Sequence, residues 1–435
     1  MVLQDWSHRI PVSKSTIVDQ SRQTMLRARV YDLHGTMLAC GTLFIAFSLV
    51  ASSTSLQDGV NATAKSRKGR ALSLFEVVRF KNDVCMPAGA TRMGTCYTSD
   101  ECTRRKGSPS GTCANGFGVC CIISLACGQT SSDNNTYITG TGSTSPTMVT
   151  VCSYGICKAS PDICRIRLDF LKHTLTGPTV GTTDSQEEDN GLAVGDCITD
   201  SFTVKNPRAK SPPVVCGFND GQHMIYEMSS PCSSLDFVLG GGAMARQWDI
   251  KVTQYKCHND DIAGPSGCLQ YFTQPTGRIS NFNFPTTSTV VGSTVTHLSR
   301  QAYTVCIRRM AGMCSICYSP SLNPVLGSAT DQTSFGLSKG TMALQDTACV
   351  DDFVQIPFGE LDAATPMGQG IQMFCGRGFN VVPATISATV CSSYLPFQLN
   401  YAVSQNEVDK GANNEQKGFP GGIVGFSLDY FQVPC

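Results

Sequence analysis

The feature that most constrains this chain is its 23 cysteines in 435 residues, of which only Cys40 lies inside an apolar run. Without Cys40 the number is even, so all the others can pair. Thiols at this density are liabilities in a reducing cytosol but become disulfide bonds in the secretory pathway. A cytosolic zinc protein is the alternative, but Cys314-Ser-Ile-Cys317 has no second pair of matching spacing. The sequence therefore predicts a disulfide-framed protein of an oxidising compartment.

The apolar run covers residues 37–51, with Arg27 and Arg29 before it and small residues after it. A basic flank, a short apolar core and a small-residue exit are typical of a signal peptide. The run is shorter than the roughly 20 residues that span a bilayer comfortably. Because the stretch before it is long, either translation starts at Met25 or Met37, or the segment stays as a signal anchor. We favour cleavage and a secreted protein; the alternative is a single-pass type II membrane protein with an extracellular C-terminus.

Charge excludes one class of partner. Lysine plus arginine and aspartate plus glutamate number 33 each, so the formal net charge is zero. The chain has no polybasic run that would follow a phosphate backbone, so nucleic acid is not an expected partner. Membrane contact is expected only through the possible N-terminal anchor.

Period-two alternation predicts strands rather than helices. In Trp248-Asp-Ile-Lys-Val252 the apolar residues share one face, and the same pattern recurs in 165–170, 303–307 and 426–430. One polar and one apolar face per strand fits antiparallel sheets packed face to face.

Cysteine clusters and polar stretches divide the chain into five parts. We predict an N-terminal extension with the signal peptide or anchor, a linker, a cysteine-rich module and two longer β-rich parts, at residues 1–55, 56–84, 85–121, 122–257 and 268–435. N-glycosylation sequons occur at Asn61-Ala-Thr63 and Asn134-Asn-Thr136. We expect glycans at Asn61 and Asn134.

The module at 85–121 is too small to enclose much core, so crosslinks must hold it. Its adjacent Cys120 and Cys121 cannot readily bond to each other. The pattern, including Gly116-Phe-Gly-Val-Cys-Cys121, resembles the clip module of arthropod secreted proteins. That resemblance implies pairing of the first cysteine with the fifth, the second with the fourth and the third with the sixth: Cys85–Cys120, Cys96–Cys113 and Cys102–Cys121.

The two longer parts resemble CUB domains. Cys197-Ile-Thr-Asp200 precedes Cys216-Gly217 in one, and Cys349-Val-Asp-Asp352 precedes Cys375-Gly376 in the other. In CUB domains a disulfide joins such a Cys-x-x-Asp strand to the Cys-Gly turn. The resemblance therefore implies the pairs Cys197–Cys216 and Cys349–Cys375, together with Cys268–Cys306. We predict an all-β chain: two CUB-like antiparallel β-sandwiches of the jelly-roll type, preceded by a small disulfide-rich module.

Many CUB domains bind calcium through an early glutamate and two aspartates. This chain matches only the middle acid, as Asp200 and Asp352, and calcium prefers several oxygen ligands. The alternative role of each acid is to fix a loop through backbone hydrogen bonds. We therefore predict no cofactor, and name Asp200 and Asp352 as the weak calcium candidates.

No catalytic pattern accompanies the clip-like module. Neither Gly-Asp-Ser-Gly-Gly nor Ala-Ala-His-Cys occurs, and the isolated histidines do not form a nucleophile-and-base pattern: His173, His223, His258 and His297. The whole resembles arthropod secreted proteins with a cysteine-rich head and CUB domains. This implies a non-catalytic extracellular protein that binds a protein or a glycan. The alternatives are a structural component of matrix or cuticle, and a non-catalytic regulator of a clip-protease cascade.

Overall fold

The computed structural model describes residues 78–142, 149–179, 195–241, 244–284, 296–321, 334–337, 342–361, 370–404 and 424–435. They belong to one compact unit, residues 75–435. The apolar run and the Asn61 sequon lie outside the described residues. Within the described ranges, no helix combines the length and apolar character needed to cross a bilayer.

Regular structure in these ranges is almost entirely β, which confirms the predicted fold class. The strands are β1 (Val84–Cys85), β2 (Gly94–Tyr97), β3 (Ser108–Cys113), β4 (Gly118–Leu125), β5 (Thr130–Ser131), β6 (Thr136–Gly142), β7 (Thr150–Cys157), β8 (Ile163–Thr174), β9 (Asp200–Lys205), β10 (His223–Glu227), β11 (Cys232–Leu239), β12 (Arg246–Lys256), β13 (Cys268–Phe272), β14 (Thr276–Ser280), β15 (Ala302–Ile307), β16 (Met313–Pro320), β17 (Phe335–Gly336), β18 (Ala343–Gln345), β19 (Phe353–Gly359), β20 (Ile371–Gly376), β21 (Val390–Ser392), β22 (Gln398–Ala402) and β23 (Gly425–Pro434). The helical pieces are α1 (Ser99–Arg104), α2 (Asp260–Ala263) and the 3₁₀ turns Ala114–Gly116 and Asp346–Ala348.

The first sandwich packs the sheet β5-β7-β11-β9 against a larger sheet containing β6-β12-β8-β10. Alternation sets its core, because Trp248, Ile250 and Val252 on β12 are all buried. Trp248 stacks on Phe237 of β11, with ring centroids 4.3 Å apart. This contact joins the two sheets through aromatic packing.

The cysteine-rich head continues into the first sandwich. Strand β4 pairs with β2 and β3 inside the head, and its last residues run parallel to β6, with Ile123 opposite Thr136. Arg92 of the head also forms an ion pair with Asp249 on β12, at 2.6 Å. The head is therefore fixed to the sandwich by both sheet pairing and side-chain contacts.

The second sandwich repeats this plan with the sheets β13-β15-β22-β19-β20-β18 and β14-β23-β16-β21, and β17 pairs with β23. Alternation again places the apolar side chains inside: Phe426, Leu428 and Tyr430 of β23 are all at most 2% exposed. The predicted strand patterns in this half are confirmed by these positions.

The two sandwiches meet edge to edge. Strand β10 closes one sheet of the first sandwich and β13 closes one sheet of the second. The Tyr271 amide donates to Nε2 of His223 at 2.9 Å, and Nε2 of Gln270 donates to the His223 carbonyl at 3.1 Å. These contacts cover two strand edges that would otherwise be open to pairing.

Candidate functional site

Asp200 lies in a closed hydrogen-bond network inside the first sandwich. It begins β9, and Arg246, which begins β12, donates from Nε to its Oδ2 at 2.6 Å. The amides of Thr176 and Gly240 donate to Oδ2 and Oδ1 at 2.7 and 3.0 Å. Arg246 also donates from Nη2 to the Gly240 carbonyl at 2.9 Å. Because both charged side chains are fully buried, the pair ties three chain segments together without solvent.

This network leaves no room for calcium at Asp200. Burial alone raises the pKa of Asp200, but the hydrogen bonds from Arg246, Thr176 and Gly240 outweigh it and hold the pKa below its ordinary value. Both carboxylate oxygens of Asp200 already accept hydrogen bonds. The positive charge of the Arg246 guanidinium beside them would repel a calcium ion. The described residues around Asp200 therefore do not fit a calcium ion.

Asp352 lies directly before β19 and is 3% exposed. Its Oδ1 accepts the Ser404 amide at 2.8 Å. Ser404 follows β22 as Gly240 follows β11, so the two acids hold corresponding parts of the two sandwiches. Among the described residues Asp352 forms no ion pair, whereas Asp200 pairs with Arg246. Asp352 therefore shares the loop-fixing contact of Asp200 but lacks that arginine.

Across the described ranges, no group of three or more His, Cys, Asp or Glu side chains is arranged to hold a metal ion. Asp200 and Asp352 lie in different sandwiches and do not share a site.

All described cysteines are in disulfides, and each of the six pairs that the resemblance implies lies sulfur to sulfur. Their Cα atoms are 5.6–6.0 Å apart, within the ordinary range. The structure adds the pairs Cys127–Cys152, Cys157–Cys232, Cys164–Cys257, Cys314–Cys435 and Cys317–Cys391. Cys314 and Cys317 thus belong to two different disulfides rather than to a common zinc site.

Asn134 is partly exposed at the turn before β6. Its Oδ1 accepts the amides of Asn135 and Gln254 at 2.9 and 2.8 Å. Glycosylation at Asn134 and at Asn61 stays a prediction.

An exposed aromatic pair marks the second sandwich. Phe358 and Tyr394 are 50% and 47% exposed, and their ring centroids lie 5.5 Å apart. Leu395, next in the chain, is 45% exposed. Large apolar side chains exposed together typically mark interaction surfaces. We call Phe358, Tyr394 and Leu395 the aromatic surface.

Phe358 points outward because of its backbone. Its φ of 52° is uncommon for a bulky residue, and it lies where the pairing of β19 with β20 becomes irregular, between Gln355 and Gly359. Regular alternation after Val354 and Ile356 would have placed it in the core. Sequence reasoning missed Phe358 and Tyr394, since the only available signal, alternation, favours a buried Phe358.

Beside the aromatic surface runs an apolar groove of about 680 Å³, which includes Leu395 in its wall. Tyr271, Ile307 and Phe397 also line it, together with the arginines Arg308 and Arg309. Arg308 donates to the Thr273 carbonyl at 3.0 Å and Arg309 to the Met313 carbonyl at 2.5 Å. Neither arginine forms an ion pair with an acid in the described ranges. The groove thus combines apolar walls with two uncompensated positive charges.

Residues 265–433 match the animal CUB domain family. This match confirms the resemblance of the second sandwich to CUB domains. Among curated proteins, none matches the chain.

Three solved structures similar to this chain are the following. The CUB1-EGF-CUB2 domains of rat MASP-1 are 12% identical, with 71% of this chain and 99% of that chain covered and a TM-score of 0.20. The corresponding human MASP-1/3 fragment is 14% identical, with coverages of 68% and 99% and a TM-score of 0.19. The extracellular region of zebrafish Gpr126/Adgrg6 is 12% identical, with coverages of 71% and 36% and a TM-score of 0.19.

Proposed function

We propose that this chain is a non-catalytic extracellular binding protein that holds a protein partner on its second sandwich. The partner contacts the aromatic surface and inserts apolar side chains into the adjoining groove, while an acidic side chain pairs with Arg308 or Arg309. The first sandwich and the head support this surface rather than forming part of it.

The observation that carries the proposal is the exposed Phe358–Tyr394 pair next to uncompensated arginines. Aromatic residues and arginine are the residue types enriched where protein interfaces bind most strongly. Within the described parts of the two sandwiches, the exposed large aromatic side chains all belong to the second: Phe358, Tyr394 and Phe431. Two arginines without acidic partners favour a partner that carries negative charge.

The disulfides support the extracellular location in this proposal, and the buried histidines support the non-catalytic role. Eleven disulfides fix the described residues, and crosslinks at this density are typical of extracellular proteins. The match of residues 265–433 to the animal CUB domain family favours the same location, because CUB domains typically bind proteins outside the cell. His173, His223 and His297 are buried, so they do not present an imidazole to a substrate.

Photo-crosslinking on living tissue tests the binding surface. The full secreted chain carries p-benzoylphenylalanine in place of Phe358, or in place of Leu171, which is also 50% exposed but lies on the first sandwich. We expect a crosslinked protein from position 358 only. Unlabelled wild-type chain should compete for this product, whereas the Tyr394→Ser/Leu395→Ser chain should need at least tenfold higher concentration. Leu171→Ser is the matched competitor and should behave as wild type.

Equal competition by Tyr394→Ser/Leu395→Ser and Leu171→Ser would overturn the proposal. Loss of the product after glycosidase treatment of the tissue would do so as well, because the ligand would then be a glycan. Labelling of a serine by a fluorophosphonate probe would contradict the non-catalytic part.

A further inference from the structure

A second, chemically different cleft lies between the head and the first sandwich. Its volume is about 660 Å³, within the range of ligand sites, and it is open to solvent. One wall is the end of α1 with the three consecutive cations Arg104, Arg105 and Lys106. The opposite wall is the end of β4 and the segment around β5.

The three cations differ in their partners. Arg105 is occupied, because it donates to Oε1 of Glu101 at 2.9–3.1 Å, contacts Asp133 and lies 4.5 Å from the Tyr97 ring centroid. Arg104 and Lys106 are exposed and form no ion pair within the described part of the chain. Two positive charges of this wall therefore remain uncompensated.

The turn that presents these cations is rigid. The Arg105 amide donates to the Glu101 carbonyl and the Lys106 amide to the Thr103 carbonyl, each at 3.0 Å. Lys106 has a φ of 57°, and the Gly107 amide closes the turn on the Cys102 carbonyl at 2.9 Å. Cys102 is itself crosslinked to Cys121 of β4. The side chains of Arg104 and Lys106 therefore extend from a fixed backbone, which lowers the entropy cost of binding.

The facing wall is polar and carries no free acid among the described lining residues. Its one carboxylate, Asp133, contacts Arg105 and accepts the Tyr97 and Ser131 hydroxyls at 3.0 and 3.1 Å. Other residues there carry hydroxyl or amide groups: Ser124, Gln129, Thr130 and Ser132. Such groups donate hydrogen bonds to anionic oxygens.

We propose that this cleft binds a sulfated polysaccharide. Sulfate oxygens accept from Arg104 and Lys106, and sugar hydroxyls exchange hydrogen bonds with the polar wall. An acidic protein segment is less suited, because the lining contains no aromatic side chain on which a protein partner would anchor. This site is separate from the aromatic surface and does not depend on the function proposed for it.

The test measures binding of the full chain to an immobilised heparin decasaccharide by biolayer interferometry at several NaCl concentrations. We expect saturable binding that weakens as salt rises, since exposed charges are screened. Arg104→Ser/Lys106→Ser should weaken binding at least tenfold and flatten the salt dependence. Arg208→Ser/Lys210→Ser is the control, because it also removes an exposed arginine and an exposed lysine that form no ion pair in the described ranges, for the same net charge change.

The control should bind within twofold of wild type. Equal weakening by both double variants would overturn the proposal by showing a non-specific charge effect, and so would the absence of saturable binding by wild type. Equally tight binding of a polyglutamate peptide, lost in Arg104→Ser/Lys106→Ser, would replace the glycan with an acidic protein segment. Partner crosslinking at position 358 should be unchanged in this variant.

Discussion

The two sandwiches repeat one plan but use it differently. In the first, Asp200 is neutralised by the buried Arg246, whereas in the second Asp352 holds the corresponding loop and forms no ion pair among the described residues. The second sandwich also exposes the Phe358–Tyr394 pair. We infer that the buried ion pair stabilises the first sandwich, while the binding surface that we propose lies on the second.

The largest effect is expected from opening the charge pair of the first sandwich. Arg246→Met leaves the buried Asp200 carboxylate without its cation, and loss of one member of a buried pair costs about 3–5 kcal/mol. We expect a loss of this size in the free energy of unfolding in urea, with the disulfides intact. Arg278→Met, which opens the exposed pair with Asp429, should change it by less than about 1 kcal/mol.

The double change Asp200→Leu/Arg246→Met sharpens this test. Replacement of both charges by apolar side chains removes the unpaired carboxylate, so the double variant should be more stable than Arg246→Met alone. A loss below about 1 kcal/mol in Arg246→Met would contradict the view that this pair locks the first sandwich.

The next effect is a loss of stability in mild acid. It depends on one histidine inside the first sandwich and on one where the two sandwiches meet. Burial lowers the pKa of His173 to about 4, and burial together with the positive charge of Arg167 lowers that of His223 to about 3. Between the unfolded pKa of 6.5 and these folded values, the unfolded chain binds protons that the folded chain does not. Stability should therefore fall with pH below 6.5, by about 1.4 kcal/mol per pH unit for each histidine.

Chemical unfolding between pH 7 and pH 5 measures this slope. His173→Gln and His223→Gln should each make the slope shallower, and the exposed His258→Gln should leave it unchanged. An identical slope in the His173 and His223 variants would show that neither imidazole is held neutral by the fold.

A smaller effect is expected at the matching acid of the second sandwich. Asp352→Asn keeps an oxygen that accepts the Ser404 amide but removes the charge, so we expect a loss of about 1 kcal/mol in unfolding free energy. Asp200→Asn, measured beside it, should cost several times more because it leaves Arg246 unpaired in the interior. Equal losses of unfolding free energy in Asp352→Asn and Asp200→Asn would contradict the view that only the first sandwich depends on a buried ion pair.

The smallest expected effect is that of calcium on the first sandwich. Because Arg246 already occupies the Asp200 carboxylate, addition of EDTA or of millimolar calcium should leave hydrogen exchange in β9 and β12 unchanged. Protection of β9 and β12 that appears with calcium and disappears with EDTA would contradict the absence of fit at Asp200.

Much of the fold could be predicted because it is encoded in local period two. Trp248, Ile250 and Val252 alternate with polar residues, and this alone assigns the buried face of β12. The even number of cysteines outside the apolar run predicted a crosslinked protein, because cysteines can be counted without knowledge of the fold.

The functional details could not be predicted in this way. Asp200 and Arg246 are 46 residues apart, and their contact depends on how β9 and β12 come together in the closed sandwich. The positive φ of Phe358 reverses the side chain that alternation would bury. Both features depend on tertiary closure, which no local pattern in the sequence reports.

Hydrogen exchange of the full chain, with and without the protein crosslinked at position 358, tests most directly the claim that the second sandwich is the binding part. We expect added protection in peptides covering β19 and residues 392–398, and unchanged exchange in residues 196–257 of the first sandwich. Protection confined to residues 196–257 would contradict it.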